Sequence, residues 1–259
     1  MPTTPETADR LAEIRVELRR MLRNETEMLR SENSRRRGAV NRRIHELHHM
    51  LDPGFPYASQ AGQDAVVDRL LGGRRGGVFV DIGGYDGVTG SNTLFFEQYR
   101  GWSGILVEPV PARLREAREL RRCPCLGLAV GTREGEADFI AVSAGMTQMS
   151  GLAASYDPAL LDRVRADPRH REERLRLPVR PLAAILDEAG ITRPDFVSLD
   201  IEGAEEEVLS VFPFDRFRVA AWAIENNGGG RGIGRIMREA GHDLVEFCGN
   251  DEIWRRRDL

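Results

Sequence analysis

Four apolar runs in this chain stop at acidic residues, and that placement implies chemistry. Asp81 follows Val78-Phe79-Val80, Glu108 follows Gly104-Ile105-Leu106-Val107, Asp200 follows Phe196-Val197-Ser198-Leu199, and Glu225-Asn226 follows the run from Val219 to Ile224. The first is joined at once by glycines, as Asp81-x-Gly83-Gly84-x-Asp86-Gly87. Glycine there permits positive φ and lets a ligand approach the main chain. The pattern is neither the Gly-x-Gly-x-x-Gly of dinucleotide enzymes nor a phosphate loop. A carboxylate ahead of the glycines repels pyrophosphate but suits a ligand with an ammonium and a sulfonium, as in S-adenosylmethionine. The plainer alternative is a structural turn that needs glycine.

Glu108 lies 21 residues beyond Gly87. A carboxylate at the end of a second strand commonly takes the vicinal hydroxyls of a ribose; otherwise it is a solvated strand end. Asp200, Glu225 and Asn226 would converge if their strands are neighbours. Two carboxylates and an amide, completed by water and a substrate oxygen, suit Mg²⁺. Without metal the same groups would orient substrate hydroxyls. Glu202 is the nearest candidate base, with Glu205 one helical step on, either sharing its face or capping a helix. Every basic residue is arginine, so no lysine can act as the base.

These residues need an alternating frame. Apolar runs at 78–82, 104–109, 126–130, 196–200 and 219–226 read as buried parallel strands. Helices are expected at 63–71, 91–99, 111–121, 181–189, 204–212 and 233–240. The helix from Ser91 to Tyr99 would aim its N-terminus and Asn92 at an anionic end of the ligand. Runs at 244–247 and 251–254, joined by Gly249-Asn250, read as a closing hairpin. Residues 131–180 carry weaker signals: strands near 137–142 and 175–179, a methionine-bearing segment at 146–152 that is either a wall of an acceptor pocket or a surface loop, and a charged, exposed stretch at 162–173.

Four segments together resemble the FkbM family of S-adenosylmethionine-dependent methyltransferases. They are Ser59-Gln60-x-Gly62-Gln63-Asp64, Val80-Asp81-Ile82-Gly83-Gly84-Tyr85-Asp86-Gly87, Val107-Glu108-Pro109-Val110-Pro111 and Asp195-Phe196-Val197-Ser198-Leu199-Asp200-Ile201-Glu202-Gly203-Ala204-Glu205. The likeness spans roughly residues 55–259. It implies an α/β, Rossmann-like class I methyltransferase fold: a seven-stranded, mostly parallel sheet with helices on both faces, plus an N-terminal helical extension. It further implies a cofactor site of Asp81, Gly83, Gly84, Tyr85, Gly87, Asn92 and Glu108, with Ala129 and Val130 beside the adenine. The strand ends are also similar to those of metal-dependent catechol O-methyltransferases, which implies Asp200, Glu225 and Asn226 as Mg²⁺ ligands; the catalytic candidates are Glu202 as base and Asp200 as proton acceptor if no metal binds. Those enzymes use a lysine base that this chain lacks.

The expected reaction is O-methylation of a hydroxyl on a sugar or small secondary metabolite. The rivals are a metal-independent methyltransferase and a non-catalytic S-adenosylmethionine-binding scaffold. A nucleotide-sugar or NAD enzyme is disfavoured by the glycine pattern. A net charge of −4 and the lack of an Asn/Asp-Pro-Pro-Tyr/Phe motif argue against nucleic-acid methylation. No run of about 18 apolar residues predicts a membrane span, the N-terminus has no secretory signal core, and Cys123, Cys125 and Cys248 form no metal or disulfide pattern. A cytoplasmic location is expected.

Residues 1–54 stand apart from the methyltransferase domain at 55–259. Leu11, Ile14, Leu18, Met21 and Met28 repeat at heptad spacing over 6–30. This is either a helix that makes a homodimer or higher oligomer, or an amphipathic helix packed on its own domain. A second helix, about 39–51, carries His45, His48 and His49. His45 and His49 share a face, compatible with metal but incomplete as a site. Solvation, or a place over the active site, are the other readings.

Overall fold

The computed structural model describes residues 5–258. Helices α1 (Pro5–Ser31), α2 (Arg36–Leu51) and α3 (Gln63–Leu70) come first. Alternation begins with β1 (Val78–Ile82), α4 (Leu94–Tyr99), β2 (Ser103–Val107), α5 (Pro111–Leu120) and β3 (Cys125–Leu126). A different region follows: β4 (Ala129–Gly131), β5 (Gly135–Ala144), β6 (Gly151–Leu152), α6 (Pro158–Arg165) and β7 (Arg171–Pro181). Alternation resumes with α7 (Leu182–Glu188), β8 (Phe196–Leu199), α8 (Glu205–Ser210), β9 (Ala221–Glu225) and α9 (Gly232–Glu239), and β10 (His242–Cys248) and β11 (Asp251–Arg256) form the hairpin.

Seven strands make one sheet in the order β10-β11-β9-β8-β1-β2-β3. The five from β9 to β3 are parallel. The hairpin strands run antiparallel, so the sheet is mixed. Among the parallel strands, chain order runs outward in both directions from β1 and β8. A crevice for ligands opens at such a reversal, beyond the carboxyl ends of the strands.

Side chains alternate along each strand, so each strand feeds two cores. On one face Val80, Ile82, Val197 and Trp222 pack with Leu186 of α7, Leu209 of α8 and Met237 of α9. On the other, Phe79, Phe196 and Ile253 pack with Val67 of α3 and Phe96 of α4. Leu106 meets Leu114 of α5 there.

Two expectations are corrected. The strand expected over 126–130 is split: Cys125 and Leu126 pair with β2, whereas Ala129–Gly131 pair with β7 in a second, four-stranded sheet, β4-β7-β5-β6. The helix expected from Ser91 begins only at Leu94. The Ser91 hydroxyl accepts the amides of Thr93 and Leu94 at 3.3 and 3.1 Å, which forms a turn ahead of the helix.

α1 and α2 pack together, with Arg43 bridging to Glu25 at 2.8 Å. Leu11, Ile14, Met21 and Met28 of α1 are exposed. α2 is locked onto the hairpin. Arg37 pairs with Glu246 at 2.5 Å, Arg35 with Glu252 at 2.5 Å, and the Asn41 amide donates to the Phe247 carbonyl at 2.8 Å. The Gly249 amide donates to the Gly38 carbonyl at 2.9 Å, and a Cβ on Gly38 would run into Gly249. No described helix is long and apolar enough to cross a membrane.

His45 is buried on the inner face of α2, with its Nε2 3.1 Å from that of His49. Burial, helped by the His49 charge, lowers its pKa to about 4. A base whose folded pKa is depressed stabilises the fold above its ordinary pKa of 6.5 and loses that contribution as the pH falls toward 4. Between about pH 7 and pH 4 the wild type should lose about 2 kcal/mol more stability than His45→Gln. Urea unfolding of both proteins at several pH values measures this. Parallel slopes would refute it.

Candidate active site

One cavity of about 310 Å³ lies over the carboxyl ends of the parallel strands. Sheet order divides it. Beyond β2 and β3 its wall is mainly apolar: Val107, Leu128, Ala129, Val130, Phe139 and Leu152. Beyond β8, β9 and β11 it is polar: Asp200, Glu202, Glu225, Asn250 and Asp251. Gly83 and Tyr85 lie between the halves.

At the apolar half, Glu108 is 5% exposed. Its two oxygens accept the backbone amides of Tyr85 at 2.9 Å and Val110 at 2.7 Å. Each oxygen keeps a further lone pair, enough for a diol. Burial raises the Glu108 carboxyl to about 7, against the pull of those amides. Tyr85 is held at φ 51°, which a non-glycine residue rarely adopts. The Arg113 guanidinium lies over its ring at 4.6 Å, and its hydroxyl bonds the Thr147 hydroxyl at 2.7 Å. Thr147, Gln148 and Met149, from the methionine-bearing segment, therefore form part of the cavity wall.

At the polar half, oxygens of Asp200, Glu202 and Glu225 lie within 4.8 Å of one another. Burial raises all three carboxyls, and each is raised further by its acidic neighbours. Glu225 Oε2 is buried without a hydrogen-bond partner. Glu202 is the second non-glycine residue at positive φ, 57°. Glu205 accepts the amides of Ile201 at 2.8 Å and Gly203 at 3.0 Å, so it builds the turn that presents Glu202 rather than joining the cluster.

Several site residues are placed differently from the sequence reading. Asp81 does not line the cavity. It accepts the Thr93 hydroxyl at 2.5 Å and lies 3.6 Å from the buried Arg121 guanidinium. Its raised carboxyl reflects burial, opposed by Arg121. Gly84 and Gly87 also face inward, with no room for a Cβ against Leu106 and Arg121. Asn226 donates to Glu252 at 2.9 Å and to the Gly230 carbonyl at 3.0 Å, away from the carboxylates. Asn92 does line the cavity, but its amide donates to Ser198 at 3.0 Å.

Other lining residues had no role in the sequence reading. Gln60 sits on the turn before α3 and Gln63 is the first residue of the helix; Asp64 fixes the turn by accepting Ser59 Oγ at 2.5 Å and the Ala58 amide at 2.6 Å. They belong to the segment 59–64, so a signal was there. Asp251, which accepts Gln63 Nε2 at 2.9 Å, and Arg42 of α2 carried none.

A doubly covered sheet with a ligand crevice at its reversal, acidic strand ends and a glycine turn defines a methyltransferase-like α/β protein. The chain matches the methyltransferase FkbM domain over residues 81–247, more than half its length, and belongs to that family. Among solved structures it is similar to methyltransferase FkbM from Methylobacillus flagellatus KT, with 13% identity and a TM-score of 0.46, over 93% of this chain and 60% of that one. It is also similar to precorrin-6y C5,15-methyltransferase from Geobacter metallireducens GS-15, with 12% identity and a TM-score of 0.40, over 75% and 86% of the two chains. No curated protein matches it.

Proposed function

We propose that this protein transfers a methyl group from S-adenosylmethionine to a hydroxyl of a small polyhydroxylated acceptor such as a sugar. The observation that carries this reading is the division of one cavity into an apolar half beside Glu108 and a carboxylate half beside Asp200, Glu202 and Glu225. In the apolar half, Ala129, Val130 and Phe139 fit an adenine, and the Glu108 carboxylate fits the ribose diol. In the other half, several carboxylate oxygens suit a ligand rich in O–H donors.

Glu108 and the apolar wall would hold S-adenosylmethionine, which would supply an electrophilic methyl for the acceptor oxygen, the carbon–oxygen bond forming as the sulfur–carbon bond breaks and the hydroxyl proton going to a carboxylate. The protein contributes positioning, the main source of acceleration for such a displacement. In this reading Glu202 or Asp200 takes the proton, which their place in the carboxylate cluster supports. The unpartnered Glu225 Oε2 and its two neighbours also fit a divalent cation such as Mg²⁺. Asp200, Glu202 and Glu225 would hold it, and it would supply acidification of the acceptor hydroxyl. This donor set replaces Asn226 by Glu202. A metal-independent transfer uses the same carboxylates with Glu202 as base.

The test is calorimetric titration with S-adenosylhomocysteine, with and without Mg²⁺. Wild type should bind, and Glu108→Ala should bind at least about tenfold more weakly, the worth of a lost charge-assisted pair of hydrogen bonds. Wild-type affinity should fall as the pH drops through about 7, where Glu108 gains a proton, and Glu108→Gln should flatten that dependence. No binding by wild type under either condition would remove the methyltransferase reading and leave a scaffold role.

A further inference from the structure

Among the described residues lining the cavity, Arg42 is the only cation. It comes from α2, outside the stretch that matches the family. Three arginines on this helix and at its start are committed, Arg35 to Glu252, Arg37 to Glu246 and Arg43 to Glu25, whereas the exposed Arg36 at its first residue is in no ion pair and does not line the cavity. Arg42 has no such ion pair. Its charge lowers the Asp251 carboxyl, but Asp251 is bonded by Gln63 and forms no ion pair with Arg42. An exposed arginine that lines the cavity and makes no ion pair has its five donors available to a ligand.

The surrounding charge decides what that ligand group is. Asp200, Glu202, Glu225 and Asp251 line the same half of the cavity and would repel an anion anywhere near them. Arg42 stands at the Asp251 side of this half, where the Gln63 amide already bonds Asp251 and the Gln60 amide also lines the wall, so its charge offsets the nearest of these carboxylates. A planar guanidinium matches a carboxylate through two parallel hydrogen bonds. We propose that Arg42 binds the carboxylate of a ligand seated in this cavity, so that the N-terminal extension contributes directly to recognition.

The assignment rests on the methyltransferase reading, and that reaction offers two carboxylates: the amino-acid end of S-adenosylmethionine, or an acidic group on the sugar acceptor. Calorimetry separates them. Wild type, Arg42→Ala and Arg42→Lys are titrated with S-adenosylhomocysteine and with 5′-methylthioadenosine, which keeps the nucleoside and thioether but lacks the carboxylate. The S-adenosylhomocysteine-loaded proteins are then titrated with glucuronate. If the cofactor is the source, Arg42→Ala weakens S-adenosylhomocysteine by about tenfold or more, leaves 5′-methylthioadenosine unchanged, and Arg42→Lys recovers part of the loss. If the acceptor is the source, both nucleosides bind all three proteins alike and glucuronate binding is lost in Arg42→Ala. Equal binding of every probe by wild type and Arg42→Ala, or equal nucleoside binding with no glucuronate binding by wild type, overturns the proposal. Wild type that binds neither nucleoside overturns the methyltransferase reading and the assignment with it.

Discussion

Replacing Arg121 by leucine should destabilise the protein by about 3–5 kcal/mol, the cost of breaking a buried charged network by removing one partner. The Arg121 side chain is 0% exposed. It donates to Glu97 at 3.0 Å, to the Thr93 hydroxyl at 3.0 Å and to the Gly87 carbonyl at 3.1 Å, and lies 3.6 Å from Asp81. Leucine would leave two buried carboxylates facing each other without a cation. Urea unfolding measures the loss. The triple change Asp81→Asn, Glu97→Gln, Arg121→Leu removes the charges together and should be less harmful than Arg121→Leu alone. A loss below about 1 kcal/mol, the scale of an exposed ion pair, would mean that the network is not built as described. Asp81 substitutions should act through the same network, so they test stability rather than ligand contact.

Gly83→Ala should be comparably severe. Gly83 has φ +83°, and a Cβ there would run into the main-chain carbonyl of Asp200. Backbone meets backbone, so no flexible side chain can yield. The left-handed conformation alone costs a non-glycine residue about 1–2 kcal/mol, and the clash must push the end of β1 from the end of β8. A total of about 3 kcal/mol or more is expected, with S-adenosylhomocysteine affinity lost in whatever protein still folds. Gly72→Ala is the control: φ is +64° with nothing within 4 Å of the added Cβ, so only the conformational cost applies. Equal losses in the two variants would show that the Gly83–Asp200 contact is not constraining.

β1, β2, β8 and β9 were legible because strands buried on both faces read as unbroken apolar runs. Their ends fixed which carboxylates would gather, so Asp200 and Glu225 stand together as expected. Side-chain direction was harder to read. Asp81 shares the face of Phe79 by the period of two, and that face is covered by Arg121, forty residues on, whose guanidinium lies 5.2 Å from the Phe79 ring. No local signal links them. Asn226 turns toward Glu252 on the neighbouring strand, again a partner distant in sequence. The four-stranded sheet was largely hidden because its β5–β7 ribbon is solvated on one face. Charged pairs such as Arg176 with Glu136 fill that face, and half the apolar signal is missing. Arg42 carried no local signal; it lines the cavity because α2 packs against the hairpin.

The lock between α2 and the hairpin has a consequence for assembly. Its bonds join residues 35–41 to residues 226–252, separations of 191 to 217 positions. As the chain emerges from the ribosome, α2 can pack on α1 but has no place on the sheet until the hairpin is made, roughly 10–40 s later at ordinary rates of synthesis. The cavity mouth therefore closes last, and Arg42 reaches it only when synthesis has passed the hairpin. A nascent chain halted before residue 246 would carry Asp200 and Glu225 without the wall that faces them.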